Sequence, residues 1–312
     1  MKVITLTINP ALDKSAQIEE IKPEQKLRCH SIKYQPGGGG VNVSRVLQRL
    51  GIPSNCVFTS GGSTGDHLDK LIQAEGIQTE AIYTNTPTRE NFAVIDTSTG
   101  LQYRFGMPGT PLSAAELETI SACMINQLNE GDYLVLSGSL AEDTPPDFYA
   151  QLIKQLSSKS VRVILDSSGP ALKQALNESV YLIKPNQNEL SQLAGRELKD
   201  IADMERYALE LINQTKLTYV VVSVGAKGAF IVSKSGVVHQ AIPKVDVKST
   251  IGAGDSMLAG IIYGLANNYP TDIMLKWGVA CGVAATMSEG TDLARLDTIN
   301  DVFGRLKNDN SF

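Results

Sequence analysis

The chain has few of the residues that build metal centres and disulfide frameworks. Its 312 residues include three histidines and four cysteines, which are Cys29, Cys56, Cys123 and Cys281. The cysteines form no C-x-x-C pair, so their spacing indicates neither a zinc site nor a disulfide framework. The histidines are isolated from one another, and we assign no chemistry to them. Scattered thiols without a disulfide pattern are typical of a reducing compartment, which predicts a cytoplasmic protein.

Excess positive charge and long apolar segments are also missing. The net charge is −5 and the isoelectric point is about 5.4, whereas nucleic acids and anionic membranes favour basic surfaces. We therefore expect neither nucleic acid nor a membrane as a partner. Met1 and Lys2 lead directly into a strand-like segment, and no run of about 18 apolar residues occurs, so we expect no signal peptide and no membrane span.

Several sequence signatures are absent as well. Neither G-x-x-x-x-G-K-[ST] nor a G-x-G-x-x-G after a strand occurs, which argues against Walker-type nucleotide binding and against a dinucleotide enzyme. We find no internal repeat, low-complexity tract or linker rich in Pro, Gly or Ser. With 42% hydrophobic residues the chain can bury one large core. We therefore expect residues 1–312 to form a single domain.

Strand-like and helix-like segments alternate in the rhythm of a parallel sheet covered by helices on both faces. The clearest strands are short, β-branched and nearly continuous in apolar character, as buried parallel strands are, and lie at 133–137, 161–166, 180–183 and 219–223. Helix candidates with apolar residues at helical spacing lie between them, at 114–128, 148–156 and 204–212. The pattern predicts a three-layer αβα fold with a mostly parallel central sheet.

A glycine turn near the C-terminus places a carboxylate at the start of a helix. Gly252, Ala253 and Gly254 precede Asp255, and an apolar helix-like stretch follows at 256–265. Small residues let backbone amides converge on an anion, the helix dipole adds partial positive charge, and the carboxylate can accept a proton. This layout is typical of phosphate transfer. The alternatives are that Asp255 is an N-cap and that the turn needs glycine only for positive φ. A second glycine run, at 37–40, also enters a helix-like segment.

Two regions, approximately 15–35 and 89–106, lack helices between their strand-like segments. They predict a small antiparallel accessory sheet, and the alternative is an extension of the main sheet at its edge. An accessory sheet beside the carboxyl ends of parallel strands would form a lid, and lids exclude water from phosphoryl transfer.

A polar segment after the strand at 180–183 is a candidate site for a nucleotide. Lys184 and Asn186 follow that strand, and Glu189 lies one helical turn beyond Asn186. Asn and Glu at this spacing share a helix face, so they can organise a hydrated Mg²⁺. The same spacing fits a capping box with Asn186 as the N-cap, and both interpretations can hold at once.

The lid segments contain cationic residues that suit an anionic substrate, and Arg in particular matches phosphate oxygens bidentately. The candidates are Lys26, Arg28, Arg89 and Arg104. They are alternatively solvated residues that protect a sheet edge, and Lys26 and Arg28 alternatively reach the site of a neighbouring subunit.

Three polar residues are candidates for binding sugar hydroxyls. Asp13 and Asn42 supply an acceptor and a donor, and Ser139 follows the strand at 133–137, at the edge where open α/β sheets bind ligands. The alternatives are that Asp13, placed after the first strand, caps a turn and that Ser139 is the N-cap of a following turn.

Four segments make the chain resemble the ribokinase or PfkB family of carbohydrate kinases over essentially its whole length. They are 9–13, 37–42, 184–189 and 250–255, in the order and approximate spacing of the family. The resemblance implies a ribokinase-like fold, ATP as the phosphoryl donor and Mg²⁺. It further implies that Asp255 is the general base and that the Gly252–Gly254 amides form an anion hole.

The resemblance also implies roles for matching residues elsewhere. Sugar binding falls to Asp13, Gly38, Gly39, Asn42 and Ser139, sugar-phosphate binding to Arg89 and Arg104, and nucleotide binding to Lys184, Asn186, Glu189, Ser223, Gly225 and Gly228. A possible K⁺ site beside the anion hole would comprise Ser249, Ile251, Ala285, Ser288 and Gly290. Ser288 and Asp292 depart from the family, in which relatives more often carry Asn and Arg.

Within the family, the chain is similar to the branch that phosphorylates sugar phosphates, and in particular to the isozyme II group of bacterial 6-phosphofructokinases. Segments 26–29, 37–40, 63–68 and 102–105 carry this likeness. It implies phosphorylation of fructose 6-phosphate at the 1-hydroxyl by a homodimer joined through the lids. The alternatives are tagatose-6-phosphate kinase or 1-phosphofructokinase activity and a catalytically silent sugar-phosphate sensor, and a sensor has no need for the carboxylate of Asp255.

Overall fold

The computed structural model of the protein describes residues 1–109, 111–141, 143–290 and 292–306. Within these residues one large sheet contains nine strands: β1 Val3–Thr7, β4 Asn55–Ser60, β5 Gln78–Tyr83, β8 Tyr133–Ser137, β9 Arg162–Asp166, β10 Val180–Ile183, β11 Tyr219–Ser223, β12 Ala229–Ser233 and β13 Gly236–Gln240. Their spatial order is β13-β12-β11-β10-β9-β8-β1-β4-β5. Neighbouring strands from β11 to β5 in this order are parallel. β12 is antiparallel to β11, and β13 is antiparallel to β12. The predicted, mostly parallel central sheet is confirmed.

Helices cover both faces of this sheet. In the described residues they are α1 Gly39–Arg49, α2 Gly62–Ala74, α3 Ala114–Gln127, α4 Phe148–Gln155, α5 Gly169–Ala175, α6 Gln187–Ala194, α7 Ile201–Gln214, α8 Ala253–Ala266, α9 Thr271–Thr286 and α10 Leu296–Arg305. The predicted helix at 204–212 begins earlier in the structure because Asp200 caps it, accepting a hydrogen bond of 2.8 Å from the Asp203 amide. The longest of these helices, α9, has 16 residues, and no described helix is long and apolar enough to span a bilayer.

Two hydrophobic cores lie on opposite faces of the sheet. In β8, Leu134 and Leu136 pack with α3 to α7, whereas Tyr133 and Val135 pack with α1 and α8 to α10. All four side chains are buried because successive residues of a strand point to opposite faces and both faces are covered. This packing gives the three layers that the sequence predicts, and it fixes the carboxyl ends of β1 and β8 to β11 along one edge.

A separate sheet of four strands lies where the sequence predicts the lid, and we call it the lid. It contains β2 Ala11–Ile18, β3 His30–Gly37, β6 Arg89–Asp96 and β7 Gln102–Phe105, in the order β3-β2-β6-β7. No described strand of this sheet pairs with the main sheet, so the alternative of an edge extension is wrong. The first lid strand begins at Ala11, before the predicted boundary, and no strand lies between Glu19 and Cys29.

The prediction that the lid is antiparallel throughout is wrong for its central pair. β2 pairs with β3 and β6 with β7 in antiparallel fashion, but β2 and β6 are parallel. β1 and β5 run in the same direction in the main sheet and leave it at the same edge. Residues 8–10 and 84–88 connect them to β2 and β6. These two lid strands therefore continue side by side in the same direction.

Candidate active site

The glycine turn at 250–255 presents the Asp255 carboxylate at the start of α8. The N-cap is Gly252, in the left-handed conformation at φ 68°, and Asp255 lies in the first turn. Asp255 is therefore not the N-cap, and that alternative is wrong. Its Oδ2 accepts a hydrogen bond of 2.8 Å from Asn42 Nδ2 of α1. The chain thus brings the carboxylate at the N-terminus of α8 together with an amide donor that lies 213 residues away in sequence.

Two charged neighbours surround the Asp255 carboxylate. Burial, and secondarily the negative charge of Asp166, raise the pKa of Asp255 to about 6, against the hydrogen bond from Asn42 and the charge of Lys184. Lys184 Nζ lies 3.2 Å from Asp166 Oδ1, at the ends of β10 and β9. Burial lowers the pKa of Lys184, but Asp166 and Asp255 raise it above its ordinary value. The site therefore holds a charged ammonium group beside a carboxylate that is poised to exchange a proton near neutral pH.

A cavity of about 370 Å³ lies in front of these groups. It is lined by Ser139, Asp166, Lys184, Glu189, Gly254 and Asp255, among others, and we call it the transfer cavity. A second cavity, of about 590 Å³, shares Asn186, Ser223 and Gly254 with it, and we call it the outer cavity. A third cavity, of about 340 Å³, lies between the lid and Ile251 and is lined by Asp13, Asn91 and Arg104. We call it the lid cavity.

The lid supplies a carboxylate, that of Asp13, to the lining of the lid cavity. Asp13 lies inside β2, so the alternative that it caps a turn after a strand is wrong. Asn91 Nδ2 of β6 donates a hydrogen bond of 2.8 Å to Asp13 Oδ1. Burial raises the pKa of Asp13, although Asn91 and the charge of Arg89 act against the shift. Asp13 Oδ2 remains outside that hydrogen bond.

The second glycine run forms the N-terminus of α1. Gly38 is the N-cap at φ 121°, a conformation that favours glycine. A Cβ atom on Gly39 would lie 2.8 Å from Gly138 N and would collide with Ser137 Oγ. This loop therefore passes directly over the end of β8, where Ser139 follows.

Ser139 lies at the carboxyl edge of the sheet as predicted from its position after β8. Asn9 Nδ2 is 3.2 Å from Ser139 Oγ, and the residue lines the transfer cavity. The next described helix, α4, begins at Phe148 with Asp147 before it. Ser139 therefore caps no described helix, and the alternative that it caps a following turn stays a prediction.

The four cationic candidates occupy different environments. The Arg89 guanidinium donates hydrogen bonds to the carbonyls of Asn9, Pro10 and Met107, at 3.2, 3.4 and 2.9 Å. Arg104 is exposed and lines the lid cavity. Lys26 and Arg28 are exposed in the segment between β2 and β3, and no contact among the described residues brings them to a cavity. The structure thus groups only Arg89 and Arg104 with Asp13.

The segment after β10 forms the capping box that the sequence allows. Asn186 is the N-cap of α6: its amide donates to Glu189 Oε2 at 2.8 Å, and its Oδ1 accepts from the Glu189 amide at 2.9 Å. Glu189 Oε1 lies outside this pair. Ser223, Gly225 and Gly228 line the outer cavity with Asn186, so the predicted nucleotide residues other than Lys184 and Glu189 converge on one concave surface.

Two loops meet where the sequence analysis places a K⁺ site. Ser249 Oγ donates a hydrogen bond of 2.8 Å to the Gly290 carbonyl, and it accepts one of 3.2 Å from the Ile251 amide. Ser288 Oγ lies 3.5 Å from the carbonyls of Ala284 and Leu293, and the Ser288 amide donates to the Ala285 carbonyl. Hydroxyl and carbonyl oxygens therefore cluster behind the Gly252 turn.

A comparison with protein-family models places the chain in a known class. The model described as pfkB family carbohydrate kinase matches residues 3–299. The chain belongs to this family.

Relatives of this PfkB kinase support the assignment. The ATP-dependent 6-phosphofructokinase isozyme 2 of Escherichia coli is 38% identical over 98% of this chain and 99% of its own. The crystal structure of E. coli phosphofructokinase-2 in complex with fructose-6-phosphate has a TM-score of 0.92 at 37% identity and covers 98% of this chain and 99% of that chain. Its complex with potassium has a TM-score of 0.93 at 38% identity, covering 97% and 98%. The fold is therefore ribokinase-like.

Two side chains of the kinase site escaped the sequence analysis. Asp166 ends β9 and pairs with Lys184, and a rule that weighs every polar residue at the carboxyl end of a predicted strand would have found it. Asn91 holds Asp13 from the middle of β6. The alternating pattern of a lid strand does not distinguish such a residue from a solvated one.

Proposed function

We propose that this kinase transfers the γ-phosphoryl group of ATP to the 1-hydroxyl of fructose 6-phosphate. The observation that carries the proposal is the position of Asp255. Its carboxylate lies at the N-terminus of α8 and lines the transfer cavity, which shares residues with the outer cavity. In a kinase, a general base acts where the acceptor hydroxyl and the phosphoryl donor meet.

The chemistry follows from the groups around Asp255. Because Asn42 occupies Oδ2, Oδ1 accepts the proton of the sugar hydroxyl. The hydroxyl oxygen forms a bond to the γ-phosphorus while the bond between that phosphorus and the β–γ bridging oxygen breaks, and ADP leaves. The amides of the Gly252–Gly254 turn and the ammonium group of Lys184 stabilise charge on the transferred group.

The acceptor is a sugar that already carries a phosphate group. Asp13 and Asn42 suit its hydroxyls, together with Ser139 and the backbone of Gly38 and Gly39. Arg104 lines the lid cavity. Arg89 lies close enough to Asp13 for its charge to lower the pKa of that carboxyl. Two guanidinium groups beside a hydroxyl-binding carboxylate favour a sugar phosphate over a free sugar. The crystal structure of the E. coli relative in complex with fructose-6-phosphate supports the same substrate.

The outer cavity suits the nucleotide. Its volume of about 590 Å³ lies in the range of roughly 300–1,000 Å³ that small-molecule sites occupy. Ser223, Gly225 and Gly228 give it a lining of small residues. Mg²⁺, when bound with ATP, neutralises phosphate charge. Glu189 Oε1, which is free of the capping box, and Asn186 would hold it through water.

A monovalent cation would bind behind the anion hole. The oxygen cluster of Ser249, Ala285, Ser288 and Gly290 and the backbone of Ile251 are the hard ligands that such ions prefer. The potassium complex of the E. coli relative supports this assignment. K⁺ there would stiffen the turn that carries the anion-hole amides.

The lid also suits a homodimer interface. Ile32 and Tyr34 on β3 and Tyr103 and Phe105 on β7 are exposed by 39–53%. Within each strand the two residues share a face. Grouped exposed apolar side chains mark contact surfaces. A second copy seated there would bring the exposed Lys26 and Arg28 close to a partner's substrate, which accounts for their charge.

The test is an ADP-release assay with ATP and Mg²⁺ that compares fructose 6-phosphate, tagatose 6-phosphate, fructose 1-phosphate and fructose. We expect the highest kcat/KM with fructose 6-phosphate. A preference for tagatose 6-phosphate or fructose 1-phosphate would keep the mechanism and replace the substrate. Binding of these sugars without turnover would instead support a sensor and contradict the proposal.

A further inference from the structure

The N-terminus of α1 lacks a cap of its own. Its N-cap residue is Gly38, which has no side chain to accept from the first amides, and the first backbone bond within the helix runs from Asn42 N to Gly38 O at 2.8 Å. A side chain from another element takes this role. Thr7 Oγ1, at the end of β1, accepts a hydrogen bond of 3.0 Å from the amide of Val41.

Val41 is the third residue of α1, and the amide at this position is the one that an N-cap side chain usually satisfies. Thr7 therefore caps the helix from a neighbouring strand. It leaves the amides of Gly38, Gly39 and Gly40 without a hydrogen-bond acceptor among the described residues. A Ser or Asp cannot take the N-cap position itself, because Gly38 adopts φ 121° and its Cβ would lie 2.8 Å from Thr7 Cγ2.

The contact between Thr7 and the glycine run is tight. A Cβ atom on Gly40 would lie 2.6 Å from Thr7 Oγ1, and one on Gly38 would lie 2.8 Å from Thr7 Cγ2. The hydroxyl and the methyl group of Thr7 thus each face a different glycine. Thr7 is 1% exposed, so it acts through the loop and does not touch a ligand.

We infer that Thr7 is a positioning residue for sugar-phosphate binding, since its hydroxyl fixes the amides of Gly38 and Gly39 and the side chain of Asn42. The inference rests on the proposed sugar site at this loop. The Asn42 side chain follows Val41 directly and donates to Asp255 at 2.8 Å. A shift of the first turn of α1 would therefore change both sugar contacts and the alignment of the base.

Thr7→Val tests the hydroxyl while preserving the shape of the side chain. A methyl group in place of Oγ1 cannot accept the hydrogen bond from the Val41 amide. It also needs about 3.5–4.0 Å to a non-bonded neighbour, whereas Oγ1 lies 3.0 Å from that amide, so the first turn of α1 must move away. We expect KM for the sugar phosphate to rise about 3- to 10-fold, the size of one hydrogen bond. KM for ATP stays within a factor of about two, because the outer cavity shares no residue with this loop.

A matched control lies two residues away on the same face of β1. Thr5 is 0% exposed, and its Oγ1 is 2.8 Å from Ser44 Oγ, further along α1. Thr5→Val removes a buried hydrogen bond to the same helix without reaching its N-terminus. It should lower Tm and leave KM for the sugar phosphate unchanged. Thr7→Ser keeps the hydroxyl and should restore KM.

The assay uses the sugar phosphate that the wild-type enzyme phosphorylates best, so an error in the proposed sugar does not count against Thr7. If Thr7→Val does not fold, Thr7→Ala removes the hydroxyl without crowding and should show the same rise in KM. An unchanged KM in the folded Val or Ala variant would overturn the inference. An equal rise in Thr5→Val, or no rescue by Thr7→Ser, would overturn it as well.

Discussion

Because Asn42 donates a hydrogen bond to Asp255, we predict that a substitution of Asn42 shifts the pH at which the enzyme loses activity. Asn42 Nδ2 donates a hydrogen bond of 2.8 Å to Asp255 Oδ2 in a partly buried site, and this bond favours the charged carboxylate. Asn42→Leu removes the donor at similar volume. A hydrogen bond to a charged group contributes about 1.5–3 kcal/mol, and one pKa unit corresponds to about 1.4 kcal/mol. The pKa of Asp255, about 6 in the wild type, should therefore rise by about 1–2 units.

The assay is the pH profile of kcat/KM, which reports the base of the free enzyme. Activity requires deprotonated Asp255. The kcat/KM of the wild type should therefore decrease as the pH drops below about 6, and that of Asn42→Leu as the pH drops below about 7–8. Loss of a sugar contact would lower the whole profile without moving the limb. The two effects are therefore separable in one experiment.

Asn91→Leu is the matched control. It removes a hydrogen bond of the same length, 2.8 Å, from a different aspartate, Asp13. It should weaken sugar-phosphate binding and leave the acid limb in place. An acid limb in Asn42→Leu that coincides with the wild-type limb would refute the assignment of Asp255 as the titrating base, and so would an equal shift in Asn91→Leu.

Three further predictions concern the base, the lid and the turn. Asp255→Asn should lower kcat by about 10²–10⁴ while calorimetric binding of the sugar phosphate is nearly unchanged; a near-normal kcat would contradict the role of Asp255. Arg89→Ala should raise KM for the sugar phosphate strongly and leave that for ATP unchanged, and an equal change in both would make Arg89 a structural residue. Gly252→Ala should lower kcat and Tm, because the residue adopts φ 68° and its Cβ would collide with Leu293; about 1–2 kcal/mol of backbone strain follows from this conformation alone. Wild-type kcat and Tm in that variant would show that the turn tolerates a side chain.

Local patterns predicted most of the fold. The strand at 133–137 is seen without change as β8, and Asn186 and Glu189 form the capping box that their spacing allows. Each of these depends on residues close in sequence. The glycine turn likewise indicated a helix start, although it left open whether Asp255 capped the helix or faced a cavity.

Contacts between distant residues account for what the sequence did not predict. The parallel pairing of β2 with β6 depends on the path of two separate connections out of the main sheet. Asn42 with Asp255 and Asp166 with Lys184 meet only after the sheet has formed. No period or spacing in the chain reports such a partner, so the electrostatic environment of the base became visible only in three dimensions.

Helix α1 contacts three parts of the kinase along its length. Asn42 donates to Asp255, Arg45 donates to the Pro36 carbonyl in lid strand β3, and Arg49 donates to the carbonyls of Leu293 and Ala294 beyond α9. Glu75, at the end of α2, pairs with both arginines. Because one helix contacts the lid strand and the proton acceptor at the same time, we expect any tilt of the lid to move Asn42 and, with it, Asp255. Closure of the lid over a sugar that fits would thereby align Asp255 with the acceptor hydroxyl, and a sugar that fits poorly would leave the two groups misaligned.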